Sequence, residues 1–228
     1  MIIQILANLQ EEGYLTKARH PTAAPFFAGA NVAFRRNALQ EIGGYDPRCK
    51  TGEDCDVCAR LTAADWELYL RPEAIVTHEN PSTLRHLVRQ WFGYGLYHPY
   101  VFAKHNDRAV EVYARLGRPV SGERYACLFY RRFPLPVVVF ITRFLVMHLL
   151  ALATALAWLA GWATLSWLGI VLTGAAVVLY AWPDLERFGA VEGGAFSAIR
   201  YAADAALFVG AFLGGLRQSM IYVSATVG

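Results

Sequence analysis

The residues best suited to chemistry in this 228-residue chain stand in Gly52-Glu53-Asp54-Cys55-Asp56-Val57-Cys58-Ala59-Arg60. Three carboxylates fall within four positions, directly behind a glycine. Val57 and Leu61 lie four apart with Arg60 on another face, so residues 53–64 read as a helix. On a helix Asp54 and Asp56 point roughly 200° apart and make a poor joint metal site. Glu53 and Asp54 fall in the first turn, where the helix dipole favours anions. A carboxylate there can take a proton from a hydroxyl held within about 3 Å. Capping the helix is the simpler role for the same residues. Cys55-x-x-Cys58 has the spacing of half a zinc site or of a redox pair. No second Cys/His pair completes it, so these read as two small residues on a helix face.

Other elements must position those carboxylates. Residues 2–12 have an amphipathic helical pattern ending at Gly13, and 20–25 read as a loop punctuated by Pro21 and Pro25. Residues 26–35 read as a buried strand interrupted by Gly29-Ala30-Asn31, small residues that let a ligand approach the backbone. Asn37 is placed to cap a short helix over 38–42, and 43–47 form a turn. Two short strands are expected at 67–70 and 74–77, the second ending at His78. Ser82 is expected to cap a helix through Leu84, Leu87, Val88 and Trp91 that ends or kinks at Gly93-Tyr94-Gly95. The aromatic-rich stretch from 98 to 113 is expected to be helical, and 116–123 to be a connector.

The composition then changes. Seventeen of the 21 Lys/Arg and fourteen of the 18 Asp/Glu precede Phe133. Residues 1–130 therefore read as a water-soluble domain and 131–228 as a membrane domain. Spans are expected near 137–159 and 162–182, given that about 20 apolar residues cross a bilayer core. Residues 203–221 hold a shorter apolar stretch between Asp204 and Arg217, either a third span or an interfacial helix. Arg131-Arg132 before the first span place the soluble part in the cytosol. Residues 1–9 lack the basic flank of a signal peptide, and four cysteines fit a reducing compartment. The expected location is the inner (cytoplasmic) membrane, multi-pass. A net charge of +3 is too small to imply nucleic acid and suits a membrane surface or a phosphate-bearing substrate.

Four blocks come in a telling order: Phe27-Ala28-Gly29-Ala30-Asn31-Val32-Ala33-Phe34-Arg35-Arg36; Ile42-Gly43-Gly44-Tyr45-Asp46; Gly52 through Leu61; and Pro72 through His78. Together, within the motif region 26–105, they resemble the acceptor-side half of family 2 glycosyltransferases, most of all membrane-anchored bacterial members of the cell envelope. That resemblance implies an α/β fold: a partial GT-A-like nucleotide-diphospho-sugar transferase domain followed by two or three transmembrane helices. It implies inverting transfer from a nucleotide-sugar donor to a membrane-proximal or lipid-linked acceptor. Asp54 matches the catalytic base, and Glu53 would orient the acceptor or the helix. Gly29, Ala30 and Asn31 match the segment that lines the donor sugar. His78 matches a position where some members hold a further ligand to a divalent cation, Mg or Mn. Arg85 and Arg89, four apart on one helix face, could reach a diphosphate, with Trp91 beside them. Arg89-Gln90-Trp91 matches the signature of processive members only in part, so polymer synthesis is not implied.

The family's nucleotide-binding half and its main D-x-D metal ligands are not among these blocks. They are expected on a separate chain or a longer gene product, so that this chain alone would be an inactive fragment. The competing reading is a non-catalytic polytopic membrane protein whose soluble part binds a partner or lipid.

Overall fold

A computed structural model describes residues 29–69, 73–77, 82–105, 108–114 and 126–225. The expected helix at 2–12, the loop at 20–25, the connector at 116–123 and His78 lie outside them. A single 3-10 turn, Gly29–Asn31, is followed by helix α1, Arg36–Glu41. The ladder of α1 starts at the carbonyl of Arg35, which accepts the Leu39 amide at 3.0 Å, so Asn37 lies inside the helix and does not cap it. Residues 32–35 form no strand, nor do 67–69 and 73–77. Gly43 and Gly44 both take positive φ and close α1, their amides reaching the carbonyls of Gln40 and Leu39. Helix α2, Glu53–Ala63, starts behind Gly52 and seats Val57 and Leu61 against Ala38, Phe34, Ile42 and Trp66.

Helix α3, Leu84–His105, is held at its start by Thr83, whose hydroxyl oxygen accepts the His86 amide at 3.2 Å. The cap therefore falls one residue after Ser82. The helix runs on through Gly93-Tyr94-Gly95, where a break was expected, because Gly95 works as a packing residue. A Cβ there would stand 2.2 Å from the Leu207 carbonyl oxygen. Residues 108–113, expected to be helical, are not. Residues Ala109–Ala114 form β1, with Ala109, Glu111 and Tyr113 buried and their neighbours half-buried, the period-2 alternation of a strand.

Strands β2 (Ala126–Arg132), β3 (Val137–Ile141) and β4 (Ile221–Val223) complete a sheet of order β2-β1-β3-β4. β2 runs antiparallel to β1; β1, β3 and β4 are parallel. The start of the expected first span is thus a strand, as the β-branched run of β3 favours. Thr142 then caps helix α4, Arg143–Leu159, accepting the Leu145 amide at 3.2 Å. At 1.5 Å per residue α4 is about 26 Å long.

Helix α5, Ala163–Arg217, is long and apolar enough to cross a membrane. It is broken at Gly189, where φ is 79° and ψ is 177°. On a straight helix Tyr180 and Asp204 would lie about 36 Å apart. Their side chains instead hydrogen-bond at 2.7 Å, and Gly193 packs on the backbone of Asp184. The element is therefore a helical hairpin with arms 163–188 and 190–217. The region expected to hold a third span, 203–221, is split between the second arm and β4. One face of that arm is covered by α3 and the sheet: Gly210 and Gly214 meet the backbone of Phe92 and Leu96, and Ala211 joins the core of Tyr113, Val138, Phe140, Met220 and Tyr222.

The contact between α3 and the second arm is backbone against backbone, so it tolerates no side chain at Gly95. Gly95→Ala is expected to lower stability by about 1–3 kcal/mol, as overpacking does. Gly93→Ala, with nothing within 4 Å of its Cβ, is expected to be neutral or stabilising by up to about 1 kcal/mol. Thermal unfolding of the two purified variants in detergent checks the pair.

Candidate functional site

The acidic N-terminus of α2 meets the turn Gly29–Asn31. Gly52 can lead into the helix because it takes a left-handed conformation, φ 78°. It also lets α3 approach: a Cβ on Gly52 would touch His98 and Val101 at 3.4 Å. Asp54 Oδ2 accepts the Gly29 amide at 3.0 Å, and Oδ1 accepts the Cys55 amide at 2.8 Å. Glu53 Oε1 lies 3.7 Å from where a Cβ on Gly29 would stand, so both carboxylates border the turn. Asn31 donates through Nδ2 to the Ala74 carbonyl at 2.7 Å, tying the turn to residues 73–77. Gly29, Ala30 and Asn31 are all exposed. The structure thus brings Asp54, Glu53 and the small-residue segment together, open to solvent on one side.

Asp56, two residues on, has a different fate. It is fully buried and surrounded by basic side chains: Arg60 Nη2 at 2.7 Å, Lys104 Nζ at 2.8 Å and His105 Nε2 at 2.9 Å. Burial alone would push its pKa up; hydrogen bonds from His105, Lys104 and Arg60 hold it well below the usual carboxylate range. Lys104 also reaches Asp46 Oδ2 at 3.0 Å, where Arg48 and the Tyr100 hydroxyl converge. Arg60 donates to the Ile42 carbonyl. One ionic cluster therefore joins the 43–50 loop, α2 and the end of α3. The C-terminal carboxylate of the D-x-D spelling is committed to this cluster.

No trio of His, Cys, Asp or Glu among the described residues is placed to hold a metal ion. Burial pushes the Cys55 thiol well above its ordinary pKa, which makes it a poor ligand. The described donors therefore do not fit the divalent cation that the resemblance implies, and no chemical step is assigned to it.

Arg85 and Arg89 are exposed on the first turns of α3. They stand about 20 Å and about 13 Å along the helix axis from His98, the residue of α3 that packs at Gly52. They are not part of the cluster around Asp54. Trp91 connects to it indirectly, edge-on to Tyr94 at 5.1 Å, while Tyr94 stacks on His98 at 5.9 Å. Burial pushes the His98 pKa down to about 4, against the pull of the Asp54 charge, so the imidazole is neutral near pH 7. Sequence reasoning passed over Tyr94 and His98, although the spacing 91, 94, 98 places all three on one helical face.

Asp56 anchors α2 only in its charged form. Its lowered pKa contributes stability that is complete above the unfolded carboxylate value of about 4 and is lost as pH falls through the folded value. Asp56→Asn leaves Arg60 without its counter-charge and removes a charged acceptor from Lys104 and His105, and is expected to cost about 3–5 kcal/mol. Unfolding midpoints measured from pH 7 down to pH 3 should fall less steeply in Asp56→Asn than in the parent.

The sequence matches glycosyl transferase family group 2 over residues 13–182. Similar proteins include the pre-mycofactocin glycosyltransferases of two Mycobacterium tuberculosis strains, each 33% identical over 76 residues. The match covers 33% of this chain and 16% of those relatives. No solved structure matches the chain significantly. The family match extends over more than half of the chain, with the Asp54 turn inside it, and the chain belongs to glycosyl transferase family group 2.

Proposed function

We propose that this chain carries the acceptor side of an inverting glycosyltransferase, moving a sugar from a nucleotide-sugar donor to a membrane-proximal or lipid-linked acceptor. The observation that carries this is Asp54: a carboxylate at a helix N-terminus, fixed by the Gly29 amide at 3.0 Å and open toward solvent. Asp54 would take the proton from the acceptor hydroxyl as that oxygen attacks the anomeric carbon and the nucleoside diphosphate leaves from the opposite face. Glu53 borders the same turn and would orient the acceptor. Gly29, Ala30 and Asn31 would line the sugar. Arg85 and Arg89 belong to this reading only if a long donor or acceptor extends along α3 to reach them. The nucleotide-binding half and the ligands of any divalent cation would come from residues outside those described, on this polypeptide or on a partner.

A membrane setting fits the lower half of the molecule. Trp158, Trp162, Trp167 and Trp182 are each more than half exposed on α4, the turn after it and the first arm of α5, a costly arrangement in water. We place α4 and the arm 163–188 as the crossing pair in the cytoplasmic membrane, with α2 and α3 on the cytosolic side.

In the complete enzyme, Asp54→Asn is expected to lower kcat by about 10²–10⁴-fold, the usual worth of a general base. Expression and the unfolding midpoint should be unchanged. Product analysis with a panel of nucleotide sugars, and with lipid-linked acceptors beside pre-mycofactocin, checks both the base and the acceptor class. Turnover at the parent rate removes Asp54 from the mechanism.

A further inference from the structure

The second arm of α5 has its polarity the wrong way round for a water-soluble helix. At 100° per residue, Val191, Ile199, Val209, Leu213 and Leu216 fall within an arc of about 100°. They are between 42% and 87% exposed. No charged residue lies on that arc between Glu192 and Arg217. The two charged residues of that stretch, Arg200 and Asp204, point to the opposite side. Arg200 pairs with Asp184 at 2.8 Å and lies over the Tyr180 ring, and Asp204 accepts the Tyr180 hydroxyl. The same inward side carries Ala203, Leu207, Ala211 and Gly214, all buried. Between its end residues Glu192 and Arg217, both exposed, the arm thus turns its charges inward and presents its aliphatic residues.

What it can present them to is constrained by what covers its back. α3 packs on it through Gly95, Gly210 and Gly214. α3 also carries Lys104 and His105, whose side chains hold Asp56 of α2, and exposes Arg85 and Arg89. An element so charged is not a lipid-immersed helix. The back of the second arm is therefore covered by α3 at residues 207–214 and by the arm 163–188 at 193–204, while its other side is an aliphatic stripe without charge between Glu192 and Arg217. The stripe continues the apolar surfaces of α4 and of the arm 163–188, since Phe144 packs against Tyr201 and Phe208 as well as Tyr180.

We propose that residues 190–217 lie along the cytosolic surface of the membrane as an interfacial helix, with the Val191–Leu216 stripe seated in the boundary between headgroups and acyl chains. The helix does not cross the bilayer. This rests on the membrane setting proposed above for α4 and the arm 163–188. It gives the protein two crossing helices and one lying helix, and it seats α3 directly on that lying helix.

Depth measurement separates the alternatives. From Ile199 to Leu216 a helix advances about 25 Å, close to the ~30 Å of a hydrocarbon core. Nitroxide labels would be placed one at a time by Ile199→Cys, Val209→Cys, Leu213→Cys and Leu216→Cys. The background carries Cys55→Ser and Cys127→Ser, because only Cys49 and Cys58 are buried. Each variant is reconstituted in phosphatidylcholine–phosphatidylglycerol vesicles. Relative accessibility to oxygen and to a water-soluble nickel chelate reports depth. All four labels are expected at one shallow depth, within the ~5–10 Å at which interfacial helices sit. Depth that changes steadily from 199 to 216 and passes the midplane overturns the proposal in favour of a span. Four nickel-accessible, oxygen-poor labels overturn it in favour of a water-facing arm, and four labels reached by neither quencher overturn it in favour of a protein-covered one. A fifth label, Val171→Cys on the first arm, is expected deep in the core. If it too is water-accessible, the membrane setting itself fails; if it is deep while the stripe is wet, only the lying helix fails.

Discussion

The carboxylate of Asp56 is the point on which the upper half of the structure turns. It has no solvent exposure and three basic neighbours drawn from two helices. A buried ion cluster of this kind adds little net stability over a well-packed apolar one, because desolvation consumes much of the Coulomb gain. Its value lies in geometry. Only one register of α2 against the C-terminal end of α3 places Lys104 and His105 on Asp56 while Gly52 admits His98 and Val101. That register sets the N-terminus of α2, and with it the position of Asp54 opposite the Gly29 amide. The carboxylate proposed as the base is thus positioned by a buried one two residues away, on the other side of the same helix.

From α3 the constraint passes to the hairpin by a different physical means. Gly95, Gly210 and Gly214 bring two helix backbones into contact, so the interface gains dispersion from many close atom pairs. No flexible side chain stands between the helices to absorb a displacement. The second arm then holds the first through Tyr180–Asp204, Ser197–Asp184 and Arg200–Asp184. The path from Asp54 to the apolar hairpin therefore runs through an ionic cluster, a glycine seam and a polar clasp.

Which parts of this could be read in the sequence follows from how local each determinant is. The limits of α2 were legible because its signals are adjacent in the chain: a glycine, two acids and an apolar pair four apart. β3 was not separable from α4, since a buried strand and an apolar helix have the same composition. What divides them is the β-branched run before Thr142 and the cap that Thr142 makes. Gly93-Tyr94-Gly95 looked like a break because glycine propensity is a local average, whereas the partner of Gly95 is more than a hundred residues away. Asp56 looked like one more acid in a cluster because Lys104 and His105 lie far along the chain. The hairpin at Gly189 was hidden for a related reason. Apolar residues run through both arms, and only the left-handed φ of one glycine reverses the path.

The orientation of the second arm bears on what the site can reach. Hydropathy summed over 203–221 cannot distinguish a span from a lying helix, because both are apolar on average. The angular distribution does distinguish them, since Arg200 and Asp204 share the side covered by protein. Packed helices stand 8–10 Å apart axis to axis. With the second arm at the lipid surface, as proposed, α3 forms the next layer through its glycine contacts, and α2 meets α3 toward its C-terminal end, through Gly52 and Asp56. The proposed base would then sit beside α3 rather than among the acyl chains, a setting that favours acceptors whose reactive hydroxyl is polar and membrane-tethered over those that are simply hydrophobic.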